Sequence, residues 1–262
     1  GAIFGSEGSV RLSESFTNYG LELFAFSSSL LLFLAILVAL YIVQSNNSEV
    51  LIKKVGGNWS DALANIISKR EVRSVALYSW LFTGLMTVQW ISAIPIIESY
   101  SDLSADRIEL FARIEQLVSP LTLITQLFFT YLVISFFGIS SILIIYGFLF
   151  VIFFLIYGFF PSVGIVVFAQ ALLRVFEYGF NKPSREIIYS QLKKHDRYKS
   201  TVFIDTFITR FGDLTGSLFM FIGKFAAISV SIMPLLAIPF AGLFSVTGYK
   251  ISKNFEEDSK NP

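Results

Sequence analysis

Arg210 and Asp213 stand three residues apart inside an apolar stretch, with Asp205 five residues before Arg210. On a helix the first two share a face and can pair, and a guanidinium fork matches a carboxylate or a phosphate. Charge at bilayer depth costs roughly 3 kcal/mol or more per group on insertion scales, so these residues carry a functional expectation. About ten residues, or ~15 Å of helix, lead from Ser200 to Arg210, which sets it near the middle of a ~30 Å hydrocarbon core. Arg210 is therefore expected to face the protein interior, neutralised by Asp213 or by an anionic ligand. Structural pairing alone is the rival reading. Gly212 and Gly216 add a small-xxx-small pattern that lets a neighbouring helix come close.

Arg174 and Glu177 form a second candidate pair on one helix face, as an interfacial ion pair, as a gate closing the cytoplasmic side of a pathway or as a contact to an anionic substrate. Arg185 and Glu186, in KPSRE, are expected in a loop or a short helix begun by Asn181 or Pro183. Glu109 precedes Arg113 by four, a favourable pair on a solvated amphipathic helix, where Arg113 could guard the opposite side. Gln89 and Gln126 are polar groups within apolar segments, able to line a pathway or to bond a neighbouring helix. Lys224 ends its segment and can snorkel to an interface.

Other chemistries find no support. The chain has no cysteine and one histidine, His195, which excludes disulfides and thiolate metal sites and leaves little scope for a histidine metal centre. It contains no GxxxxGK[ST] loop, no nucleophile elbow and no HExxH, so neither a catalytic residue, a cofactor nor an enzymatic activity is expected. The 29 Phe residues read as lipid-facing or core packing rather than as a platform for nucleic acid.

The elements that position these residues follow from composition. Of 262 residues 54% are hydrophobic and 15% charged, against about 25% charged in soluble domains. Uncharged runs at Leu23–Ser48, Ser74–Ile97, Gln116–Leu173 and Phe225–Tyr249 each exceed the ~20 residues that span a bilayer. The reading is an all-α, polytopic membrane protein. Breaks at Phe137–Ser140 and Phe160–Ser162, centred on Gly138 and Pro161, divide the longest run. The expected spans are Leu21–Val43, Ser74–Ile97, Gln116–Phe137, Ile139–Phe160, Ser162–Tyr178, Thr201–Ile222 and Phe225–Tyr249. A short interfacial helix is expected at Ser60–Ser68, capped by Ser60 or Asp61. Asn181–Ser200 is expected to be a basic loop.

Lys and Arg gather on the cytoplasmic side of membrane proteins. The basic connections Gln44–Arg73 and Asn181–Ser200 fall on one side of this map and the acidic stretch Glu98–Glu115 on the other. That places the C-terminus inside. A long basic connection followed by six spans fits the second half of a twelve-helix transporter of the major facilitator type, in which substrate sits near the midplane. On that reading residues 1–43 end an N-terminal half, with 1–9 closing helix five, 44–73 connect the halves, 74–249 form a six-helix bundle and 250–262 a polar tail. The sequence opens on GAIFGS and reads as lacking earlier helices. Seven spans forming a non-transporting docking or regulatory partner is the alternative.

The segments LFARIEQLVSPLTLITQLF (110–128) and, from Ala171, ALLRVFEYGFNKPSREIIYSQLKKHDRYKSTVFIDTFITRFGDLTGS carry a resemblance. The chain resembles the bacterial ATP:ADP antiporter-like membrane proteins, over about Ser104 to Tyr249, most specifically at Phe176–Glu186 and Tyr198–Asp213. The resemblance implies a major-facilitator-like fold in the bacterial inner membrane and exchange of adenine nucleotides or another organic anion by alternating access. Its implied partners are the lipid bilayer, the N-terminal half of the same protein and a small anion. Where nucleotide exchangers of this kind carry a GKSGG-like stretch, this chain has Gly212-Asp213-Leu214-Thr215-Gly216.

Overall fold

Among the described residues the backbone bonds to itself as helix, the form that a hydrocarbon setting would require. No strand occurs among the residues that the computed structural model describes, which are 21–45, 59–190, 194–229 and 231–260, with Gly5 and Glu7. The helices are α1 (Leu21–Ser45), α2 (Trp59–Ser68), α3 (Arg70–Glu98), α4 (Ser104–Phe159), α5 (Val163–Ser190), α6 (residues 194–225) and α7 (Ile232–Lys260). Four among the described residues are long and apolar enough to cross a membrane: Arg70–Glu98, Ser104–Phe159, Val163–Ser190 and Ile232–Lys253. In α1 the shorter piece Phe26–Ile42 is apolar, and its side chains from Ser28 onward are exposed. Helix α6, which bears Asp205, Arg210 and Asp213, is not among the four.

The expected break within 104–159 falls at Gly138, whose φ of 73° and ψ of 164° no other residue type adopts readily. It divides α4 into an arm, 104–137, and a core segment, 139–159. The second expected break is also present. Phe160 leaves helical geometry at φ −137°, ψ 58°, and Ser162 caps α5 by accepting from the Ile165 amide at 3.4 Å.

The core forms where 139–159, α3 and α7 meet. Tyr146, Phe150, Phe154 and Phe244 are fully buried, with Phe82 beside them. The Tyr146 ring lies 5.2 Å from Phe150 and 5.9 Å from Phe244, spacings at which tilted and edge-on aromatic pairs attract. Close approach comes from small residues. A Cβ on Gly147 would lie 2.8 Å from the Ser245 amide, and one on Gly248 3.0 Å from the Leu143 carbonyl. Helices α3 and α6 run the same way, with Gly84 opposite Gly216 and Ser92 opposite Met220.

Three expectations are corrected. Asn181–Ser200 is not a loop, because α5 continues to Ser190 and α6 begins at Lys194, leaving only 191–193 outside the described residues. Pro183 does not stop α5; its missing N–H falls beside a π turn, where a ladder bond is already lost. The last helix starts at Ile232, not Phe225. Ala227, at φ 55°, closes α6 in the left-handed region and turns the chain first. The tail from 250 is helical through Lys260. Of the connection 44–73, residues 46–58 lie outside the described residues; the expected short helix runs from Trp59, and α3 already begins at Arg70. Of 1–20 only Gly5 and Glu7 are described; both are helical, and Gln116 Nε2 donates to Glu7 at 2.7 Å.

Candidate functional site

The face of α5 turned toward α3 carries Gln170, Glu177, Asn181, Arg185 and Tyr189, all buried in an otherwise apolar core. Arg185 Nη2 donates to Glu177 Oε1 at 2.8 Å, with side chains only 11% and 8% exposed. Asn181 Nδ2 donates to the other carboxylate oxygen at 2.5 Å, and the Tyr78 hydroxyl of α3 donates to Asn181 Oδ1 at 2.6 Å. The guanidinium also stands 5.3 Å from the centre of the Phe82 ring, within cation–π range. Asp205, exposed on α6, adds its charge to the field at Arg185 and Tyr189. Every polar group of the Glu177 carboxylate is thus answered, as burial requires.

This pairing corrects the expected Arg174–Glu177 contact. Arg174 turns toward the arm and pairs with Glu115, while Glu177 turns inward. Arg185, expected in loop structure, is a buried member of the core. The sequence held a signal for this cluster: Glu177, Asn181, Arg185 and Tyr189 recur every fourth residue, a single helix face once 181–190 is granted to be helix.

Local geometry explains why that face is held. Residues Glu177–Asn181 form a π turn, and the Lys182 amide bonds to the Glu177 carbonyl five residues back rather than to Tyr178. The next residue is Pro183, which has no amide hydrogen. The carbonyls of Tyr178 and Gly179 are therefore left without their usual donors. The arm supplies both: Gln126 Nε2 donates to Tyr178 at 3.0 Å and Thr130 Oγ1 to Gly179 at 2.6 Å. Gln126 lies within a π turn of the arm, Thr125–Phe129, and Thr130 directly follows it. A Cβ on Gly179 would collide with the Thr125 side chain, so only glycine allows this approach.

Gln89, fully buried on α3, donates to the Tyr157 hydroxyl at 2.9 Å and accepts from Gln170 at 3.3 Å. Arg113 is exposed and pairs with Glu109 at 2.6 Å, as its spacing foretold.

Arg210 is placed otherwise than expected. Its Nη1 donates to Asp213 Oδ2 at 3.2 Å, but its side chain is 82% exposed and does not face the interior of the described bundle. Gly212 and Gly216 take that inward face. Two positions round a helix is a turn of roughly 200°, so packing Gly212 against Trp80 and Thr83 of α3 turns Arg210 outward. Asp213 lies between the two environments, accepting also from Thr87 Oγ1 of α3 at 3.1 Å. An apolar cavity of about 290 Å³ lies between α3, α6 and α7, lined by Trp80, Gly84, Gly216, Phe219 and Phe240. Arg210 does not line it.

No group of His, Asp and Glu able to hold a metal occurs among the described residues. Comparison with protein-family models, with curated proteins and with solved structures finds no match to this chain.

Proposed function

We propose that this chain forms half of a secondary transporter of the major facilitator type, moving an organic anion by alternating access. The observation that carries the reading is Arg210. It is a permanent cation on the exposed side of a helix among apolar helices, held by one hydrogen bond to Asp213. A guanidinium offers five donors, so most of them stay available to an anion arriving on this face. A cation facing lipid would be costly; one facing a substrate path between two half-bundles would not. Asp213 then competes with the anion and assists its release. The Glu177–Arg185 pair holds α5 in place rather than meeting substrate. On this reading the protein sits in the bacterial inner membrane with its C-terminus in the cytoplasm, and adenine nucleotide is the first substrate to test.

The test is uptake of labelled ATP, ADP and a panel of dicarboxylates into liposomes bearing the full-length protein. Arg210→Ala should abolish exchange of whichever anion is carried, and Arg210→Lys should retain part of it. Unchanged kinetics in Arg210→Ala would overturn the proposal. Failure of the unaltered protein to move any anion would favour a docking or regulatory role.

A further inference from the structure

The same five-residue turn of α5 faces two ways. Inward, Glu177 and Asn181 hold Arg185 and Tyr78; outward, Tyr178 and Gly179 offer carbonyls to Gln126 and Thr130 of the arm. The Tyr178 carbonyl is free because the turn is π, and the Gly179 carbonyl because Pro183 has no amide hydrogen. In α geometry the Lys182 amide would bond to the Tyr178 carbonyl, the very atom that Gln126 occupies. The arm therefore competes with the helix for one acceptor. Relaxing the π turn would also turn 182–190 by about one residue, ~100°, carrying Arg185 away from Glu177. Buried pair and docked arm support each other through the turn.

The arm has one joint of its own, and it leans on α3 where Phe111 meets Trp90 at 5.3 Å. It joins the rest of α4 at Gly138, where the backbone leaves helical geometry and a side chain would meet nothing within 4 Å. Besides the turn, it is tied to α5 by the Arg174–Glu115 pair and a small apolar contact of Ile114 and Val118 with Ala171. Side chains on its far surface, Leu117, Leu121, Leu127 and Phe128, are exposed.

We propose that the Glu177–Asn181 turn is a two-state switch: π with the arm docked and Glu177 paired to Arg185, α-helical with the arm released about Gly138. The switch stands on this geometry whether or not the chain carries an anion. Any event that pulls Arg185 from Glu177, such as movement of Tyr78 with α3, then reaches the arm without touching it.

The chain contains no cysteine, so a single pair of nitroxide labels reports the arm cleanly. Labels at Leu127→Cys on the arm and Phe168→Cys on α5 both occupy exposed positions, and Phe168 precedes the turn. The distance distribution of full-length protein in lipid nanodiscs should show one dominant population. Glu177→Gln should add or enlarge a longer one. Pro183→Ala is the decisive variant, because it restores an amide hydrogen to the turn, favours α geometry and leaves the buried pair's side chains in place. It should shift the distribution the same way. A distribution unchanged in both variants would overturn the switch. So would a change in Glu177→Gln alone, which would trace the effect to lost core packing.

Discussion

Arg185 meets Glu177 at 2.8 Å from eight residues further along the same helix, both side chains buried against Tyr78 and Phe82 of α3. The contact ties the last part of α5 to the first residue of its own π turn. It also fixes which face of α5 the core sees.

The cost of taking two charges out of water makes such a pair costly to break singly and cheap to replace whole. Glu177→Leu or Arg185→Met alone should lower stability by about 3–5 kcal/mol, because each strands an uncompensated charge. The double variant should recover most of that loss. Unfolding in mixed micelles by SDS titration measures all three. Single variants that cost under about 1 kcal/mol would mean that water reaches the pair.

The parallel contact of α3 and α6 rests on two glycines. A Cβ on Gly212 would lie 2.6 Å from the Trp80 carbonyl, and one on Gly216 2.6 Å from the Gly84 carbonyl. Backbone cannot step aside as a side chain can, so Gly212→Ala or Gly216→Ala should cost about 1–3 kcal/mol by overpacking. Gly242→Ala serves as the contrast. Nothing lies within 4 Å of its Cβ position, and alanine there should gain up to about 1 kcal/mol of helix propensity. Equal effects at all three sites in the same titration would contradict the packing.

What the sequence disclosed and what it hid divide along a physical line. Gly138 and Pro161 announced their breaks because a helix interrupted within a long apolar run has few other places to turn. Pro183, expected in a loop or at the start of a short helix, lies instead inside a continuous helix. Its missing amide bond is absorbed by a π turn, and the orphaned carbonyls are answered by Gln126 and Thr130, 52 and 49 positions away in sequence. Partner choice was hidden for the same reason. Spacing rules allow Arg174 and Glu177 to pair, but they cannot register that α4 offers Glu115 to one while Asn181 and Arg185, further along α5, hold the other inward. Arg210 was expected to face inward and stands outward, because Gly212 and Gly216 decide the orientation of α6 and their partner helix is not written beside them.

Gln89 makes a second buried polar link, joining α3 to Tyr157 of α4 and Gln170 of α5. Gln89→Leu removes both bonds and leaves a buried hydroxyl and a buried amide unpaired, at a cost of about 1–3 kcal/mol. Adding Tyr157→Phe removes one of the stranded groups and should restore part of that loss. A Gln89→Leu variant as stable as the unaltered chain would show that the two groups find water or each other.

Asp213 accepts from Thr87 on one oxygen and from Arg210 on the other, and the two bonds pull it in different directions. Thr87 holds the carboxylate toward α3, which limits how far it can close over the guanidinium. If Arg210 receives the transported anion, the two partners of Asp213 should therefore have opposite effects on affinity. Asp213→Asn removes a competing charge and should lower KM for the anion severalfold, while slowing release and so lowering kcat. Thr87→Val frees the carboxylate to settle on Arg210 and should raise KM severalfold with kcat little changed. Initial rates of uptake into liposomes over a range of anion concentrations separate the two. Shifts of KM in the same direction in both variants would remove Asp213 from the anion's path and leave its contact with Arg210 a matter of helix packing.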